Sequence, residues 1–124
     1  PVCLWEENKL VSGQKMEQVW FAGVHSNIGG WYESRDLSSI SLCWMIEKAK
    51  AAGLKIDDTL FKNRLNEREP VGKIHESYEK FWFFRGSRRR VIPESAHIHQ
   101  SVEDRMTGVS KYKPKLPDNY TVVT

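Results

Sequence analysis

The run Gln18-Val19-Trp20-Phe21-Ala22-Gly23-Val24 is apolar, β-branched and aromatic, with no polar alternation. A strand with one wet face alternates. An unbroken run of this kind belongs to a strand covered on both faces, as in a parallel sheet with helices packed over it. The sequence therefore predicts a buried strand over residues 18–24. His25-Ser26-Asn27-Ile28-Gly29-Gly30 follows as a polar, glycine-rich loop, whose glycines permit positive φ or close backbone approach. The strand thus delivers His25 onto a loop. Beyond it, Asp36 or Ser38 can cap a helix through residues 37–52, and Gly53 can end it in the left-handed conformation. Leu37, Ile40, Leu42, Trp44, Met45, Ile46 and Ala49 would form a wide apolar face on that helix, opposite Glu47, Lys48 and Lys50. Strand, loop and packing helix in this order describe an α/β domain with a covered sheet.

The remainder is read more coarsely. Residues 55–69 are charged, with Leu60, Phe61 and Leu65 at helical spacing before Pro70, so a second short helix or an irregular excursion fits. A hairpin is predicted from strands over 78–84 and 88–92, turned by Arg85-Gly86-Ser87. Ala96-His97-Ile98-His99 reads as extended, and Ser101-Val102-Glu103-Asp104 as the start of a short helix. The proline-spaced segment 111–119 reads as an extended tail. Chains of 124 residues can bury one core, so residues 1–124 are read as a single domain. Unbroken apolar runs such as Phe81-Trp82-Phe83-Phe84 and Leu42-Cys43-Trp44-Met45-Ile46 fall far below the roughly 20 of a bilayer span. No signal peptide is visible. The chain starts at Pro1 and its first methionine is Met16, which suggests a piece of something longer.

The net charge of +3 is too small for a nucleic-acid arm, and no nucleic-acid partner is expected. Its distribution is more informative, since Arg85, Arg88, Arg89 and Arg90 follow directly on the aromatic run. Trp82 with Arg88, Arg89 and Arg90 could contact a lipid surface or phosphate; a buried hairpin face with a solvated arginine rim is the plainer account. Cys3 and Cys43 form no CxxC and read as unpaired thiols. His25, His75, His97 and His99 suffice in number for zinc, but their spacing is not a strong zinc pattern, and no metal or other cofactor is expected. A histidine after the last strand of a doubly wound hydrolase sheet can take a proton from a serine and return it to the leaving group. By spacing alone, a loop histidine making one hydrogen bond is the commoner case.

Residues 17–30, followed by Leu37-Ser38-Ser39-Ile40-Ser41-Leu42-Cys43-Trp44-Met45, closely resemble the signature of a family of α/β-hydrolase-type domains that includes phospholipase effectors of bacterial type VI secretion systems. His75-Glu76-Ser77, His99-Gln100-Ser101-Val102 with Arg105, Tyr112-Lys113-Pro114 and Leu116-Pro117 look like its C-terminal part in the same order. The resemblance spans roughly residues 17–118 and is most specific in the first block. It implies the C-terminal portion of an α/β-hydrolase-type sheet, with a packing helix and an added hairpin, in a serine esterase or lipase acting on lipid esters. The location is left open by the sequence; a protein that is cytoplasmic in the producing cell and exported by a secretion system would fit. His25 would be the catalytic histidine, with Ser26, Asn27, Gly29 and Gly30 shaping its loop; His99 is the alternative. The family usually has Asp where this chain has Asn27, which carries no charge. No serine lies in Gly-x-Ser-x-Gly, so the nucleophile, and with it the acid, would come from a missing N-terminal portion. The chain alone is then expected to be inactive. The competing class is a non-catalytic binding or immunity-like module that keeps the end of the hydrolase fold.

Overall fold

The computed structural model describes Leu4, residues 9–75 and residues 90–124. Along these run β1 (Val19–Trp20), α1 (His25–Gly29), α2 (Asp36–Ala51), α3 (Asp58–Asn66), β2 (Ala96–His99), α4 (Gln100–Gly108) and β3 (Tyr120–Val123). The strands form one parallel sheet in the order β1-β2-β3. Val19 pairs with His97 and Trp20 with Ile98, and on the other side Ala96 through His99 pair with Tyr120 through Val123. The architecture is mixed α/β, with β2 between two neighbours among the described residues.

The predicted strand over 18–24 is thus reduced to two paired residues at the edge of the sheet that the described residues form. Gly23, at φ +129°, turns the chain away from β2, and the predicted loop 25–30 winds into α1 before Gly30 closes it at φ +81°. Most of the predicted hairpin, with Trp82, Arg88 and Arg89, lies outside the described residues. Residues 111–118 run without regular structure, as read from the prolines, but the chain then re-enters the sheet as β3. Tyr-Thr-Val-Val is a β-branched and aromatic stretch that fits there.

Ile98 on β2 is wholly buried and packs with Ala22, Ala96 and Val102 to form the core of the sheet. Full burial of one such side chain contributes roughly 1.5–3 kcal/mol. Trp20, Ile92, Tyr112, Leu116 and Tyr120 cover this cluster, so the proline-spaced segment serves as its lid.

Helix α2 follows its predicted span, ending before Gly53 at φ +94°. Its capping and its buried face differ from prediction. Arg35 is the N-cap residue and gives no side-chain cap, while Ser38 Oγ donates back to the Arg35 carbonyl at 3.2 Å. Leu37, Ile40 and Trp44 are buried as expected, but so are Ser38, Ser39, Ser41 and Cys43, whereas Leu42 and Met45 are exposed. The reason is that α2 is covered by α1 and by the segment around α3, both of which offer polar partners. Ser41 Oγ lies 2.9 Å from the Ile28 carbonyl and Ser39 Oγ donates to Glu67 at 3.2 Å, so the hydroxyls are buried with their hydrogen bonds made. Helix α3 begins on Asp57, whose carboxylate accepts the N–H groups of Thr59 and Leu60 at 2.8 and 3.1 Å.

Candidate functional site

In a parallel sheet, ligands gather where the strands end, because the loops there and the helix N-termini converge. β1 ends into Phe21, Gly23 and α1; β2 ends on His99, which is also the N-cap residue of α4. The parallel register continues by one residue to bring Phe21 beside His99. Their rings stack, with centroids 4.7 Å apart and planes 26° from parallel. Trp44 of α2 meets Phe21 edge-on at 5.8 Å.

His99 is half-buried and held through Nδ1, which lies 2.9 Å from Ser101 Oγ and accepts the Ser101 N–H at 3.2 Å. Burial pushes its pKa below the ordinary 6.5, with the Arg68 guanidinium acting in the same direction and Asp104 and Glu47 opposing it. The ring is therefore neutral around pH 7. It borders a cleft of about 460 Å³ between α2, the end of α3 and the start of α4. Ile40, Trp44, Leu65 and Pro70 form its apolar side, and Arg68, Asp104 and Gln100 its polar rim. The Trp44 indole N–H, although buried, has no hydrogen-bond partner among the described residues.

His25 stands differently. It is exposed, begins α1 five residues after β1, and borders a larger apolar groove of about 810 Å³. Trp20, Phe21, Ile28 and Ile92 line that groove, together with Arg90, the one arginine of the basic cluster near 88–90 that is described. Of the predicted loop residues, Ser26 gives its carbonyl to the N–H groups of Gly30 and Trp31, Gly29 is the last residue of α1 and Gly30 its left-handed cap. Asn27 is 4% exposed and hydrogen-bonded at both ends of its amide: its Oδ1 accepts the Val24 N–H at 3.2 Å and its Nδ2 donates to the Lys73 carbonyl at 3.4 Å. The second of those bonds needs an amide, since an ionised carboxylate has no proton to give. His97 lies exposed on the same face of β2 as His99, while the His75 ring stacks on Tyr32 at 4.1 Å. Among the described residues no group of three or more His, Cys, Asp or Glu is placed to hold a metal ion.

Sequence reasoning did not single out Phe21 or Arg68, and it named Arg105 within the resemblance without giving it a role. Arg105 is 5% exposed, yet its guanidinium donates to the Pro70 and Gly72 carbonyls at 2.7 and 2.6 Å and lies over the Tyr112 ring. It fastens α4 to the 70–72 segment, and so fixes the wall of the His99 cleft that Pro70 provides.

Residues 1–48 match the family described as the catalytic domain of Tle1-like phospholipase effectors of the type VI secretion system. The matched segment contains β1, α1 with His25 and Asn27, and most of α2; His99 and Ser101 lie outside it. Neither a curated protein nor a solved structure matches the chain. Among the described residues no helix is long and apolar enough to cross a membrane.

Proposed function

We propose that this chain is the C-terminal part of an α/β-hydrolase-type phospholipase or related lipid esterase and supplies its catalytic histidine, the serine nucleophile and the acid coming from chain outside these 124 residues. The match of residues 1–48 to a phospholipase catalytic domain supports the reaction class. The parallel sheet, with a histidine directly at the carboxyl end of its central strand, supports the role assigned to this part of the domain.

The single observation that carries the choice of base is how His99 is held. A general base must be oriented, neutral at working pH and open on one nitrogen. His99 is oriented by Ser101 and by the Phe21 ring, and burial keeps it neutral. In the proposed step, Nε2 takes the proton of a serine hydroxyl as that oxygen attacks the ester carbonyl, and later returns it to the departing alcohol. His25 is the second reading, favoured by its place inside the matched segment and beside the larger apolar groove. There the groove would receive an acyl chain and Arg90 a phosphate.

The experiment compares phospholipid hydrolysis by the 124-residue chain with that by the longer protein that carries a Gly-x-Ser-x-Gly segment. Turnover only in the longer protein supports the split of the site. Turnover by the 124 residues alone, abolished by His25→Ala or His99→Ala, contradicts it. A folded chain with no catalytic partner that binds anionic vesicles would favour the non-catalytic module.

A further inference from the structure

We propose that Ser101 is a positioning residue that decides which nitrogen of His99 carries the proton. Its catalytic meaning rests on the reading of His99 as the base; the proton position itself does not.

Nδ1 of His99 is met by two groups of the same residue. The Ser101 backbone N–H, at 3.2 Å, can only donate. The Ser101 hydroxyl, at 2.9 Å, can donate or accept. A neutral imidazole has one N–H and one lone pair, so the backbone N–H selects the Nε2–H tautomer, whereas the hydroxyl, when it accepts, selects the Nδ1–H tautomer. When Nδ1 accepts the backbone N–H, the ring proton sits on Nε2, which then has no lone pair with which to take a proton from a nucleophile. When Nδ1 instead donates to Ser101 Oγ, the lone pair passes to Nε2 and the ring becomes a competent base.

Ser101 is 5% exposed, so water competes poorly for its hydroxyl, and the hydroxyl contact is the shorter of the two. Asp104 and Glu47 act on His99 by charge, yet among the described residues neither makes a hydrogen bond to its ring; Asp104 accepts from Gln100 instead. The Ser101 hydroxyl therefore occupies the place at Nδ1 that a carboxylate fills in a Ser-His-Asp arrangement. Rotation of the hydroxyl so that it accepts, with the ring proton exchanged through solvent from Nε2 to Nδ1, converts His99 from the donor form to the base form.

The test is nitrogen-15 NMR of the imidazole rings of the 124-residue chain, at a pH where His99 is neutral. Wild type shows a population protonated at Nδ1; Ser101→Ala shifts His99 wholly to the Nε2–H form, and Ser101→Thr restores the wild-type signature. In the longer, active protein, Ser101→Ala lowers kcat by roughly tenfold or more with KM unchanged, and Ser101→Thr recovers most of it. Identical ring signatures in wild type and Ser101→Ala, or a wild-type ring held only as Nε2–H, overturn the proposal. If His99→Gln leaves hydrolysis intact, the assignment of the base fails, while the NMR comparison still decides the role of Ser101.

Discussion

Phe21 and His99, 78 residues apart in sequence, lie face to face because β1 and β2 run parallel in a register that brings the two strand ends level. Phe21 also meets Trp44 edge-on, so one ring links the catalytic candidate to α2. Aromatic pairs are worth about 0.5–1.5 kcal/mol each beyond their buried area. Phe21→Leu keeps an apolar side chain but loses both, and the expected destabilisation is roughly 1–3 kcal/mol. It is read as a lower denaturant midpoint with an unchanged slope, together with a broadened His99 ring signal.

Arg105 is a buried cation held by two carbonyl oxygens rather than by a carboxylate recorded among the described residues. Hydrogen bonds from charged groups are worth about 1.5–3 kcal/mol each, and loss of the donor leaves the two carbonyls short of a partner. Arg105→Met should cost roughly 2–4 kcal/mol by the same principle. Thermal denaturation measures it. A loss below a few tenths of a kcal/mol would mean that water replaces the guanidinium at Pro70 and Gly72.

Asn27→Asp tests the amide directly. At neutral pH the variant places a buried carboxylate against the Lys73 carbonyl, with a destabilisation of about 1–3 kcal/mol. Such an acid has its folded-state pKa raised above the unfolded value near 3.9. The variant's deficit is therefore smallest below that pH and grows as pH rises through and beyond it. Unfolding free energies of the two proteins across that range should converge at acid pH and separate above it.

The pH dependence of the wild-type chain carries the sign of His99. Burial lowers its folded-state pKa below the ordinary 6.5, so the unfolded chain binds more protons once pH falls under that value. This contribution to stability is present above about pH 6.5 and is lost on acidification toward the folded-state pKa. His99→Gln removes it. The difference between variant and wild type, followed by denaturant titration from pH 7.5 downward, should therefore change steadily below pH 6.5 and stay flat above it.

Gly23 joins strand end and site loop at φ +129°, and a Cβ there would fall 2.7 Å from Cβ of Asn27. Gly23→Ala combines left-handed strain with that clash, at a cost of roughly 1–3 kcal/mol. Gly13→Ala, with a left-handed φ but open space around it, should cost less. Parallel melts of the two variants compare strain with and without the contact.

Much of the helical framework was legible because its signals are local. The apolar spacing and Gly53 set the extent of α2, and the alternation Ala96-His97-Ile98-His99 marks β2. The pairing of β1 with β2 was not legible, since parallel partners lie far apart in sequence and no local signal carries their register. β3 was missed for the same reason: four residues after a proline-spaced tail acquire their role only from the strand beside them. In the site, His99 was visible as a candidate, and its His-x-Ser spacing to Ser101 was the available signal for the residue that holds it. The buried serines of α2 could not be foreseen from apolar spacing, because their burial depends on acceptors supplied by α1 and Glu67.

The most direct measurement of the central claim is kcat for phospholipid hydrolysis by the longer protein bearing His99→Gln, beside His25→Gln and wild type, with each variant shown to be folded by circular dichroism. Loss of a general base lowers the rate by roughly 10²–10⁴-fold. The account predicts a fall of that size for His99→Gln and a much smaller change for His25→Gln. A folded His99→Gln protein that turns over at the wild-type rate would contradict it.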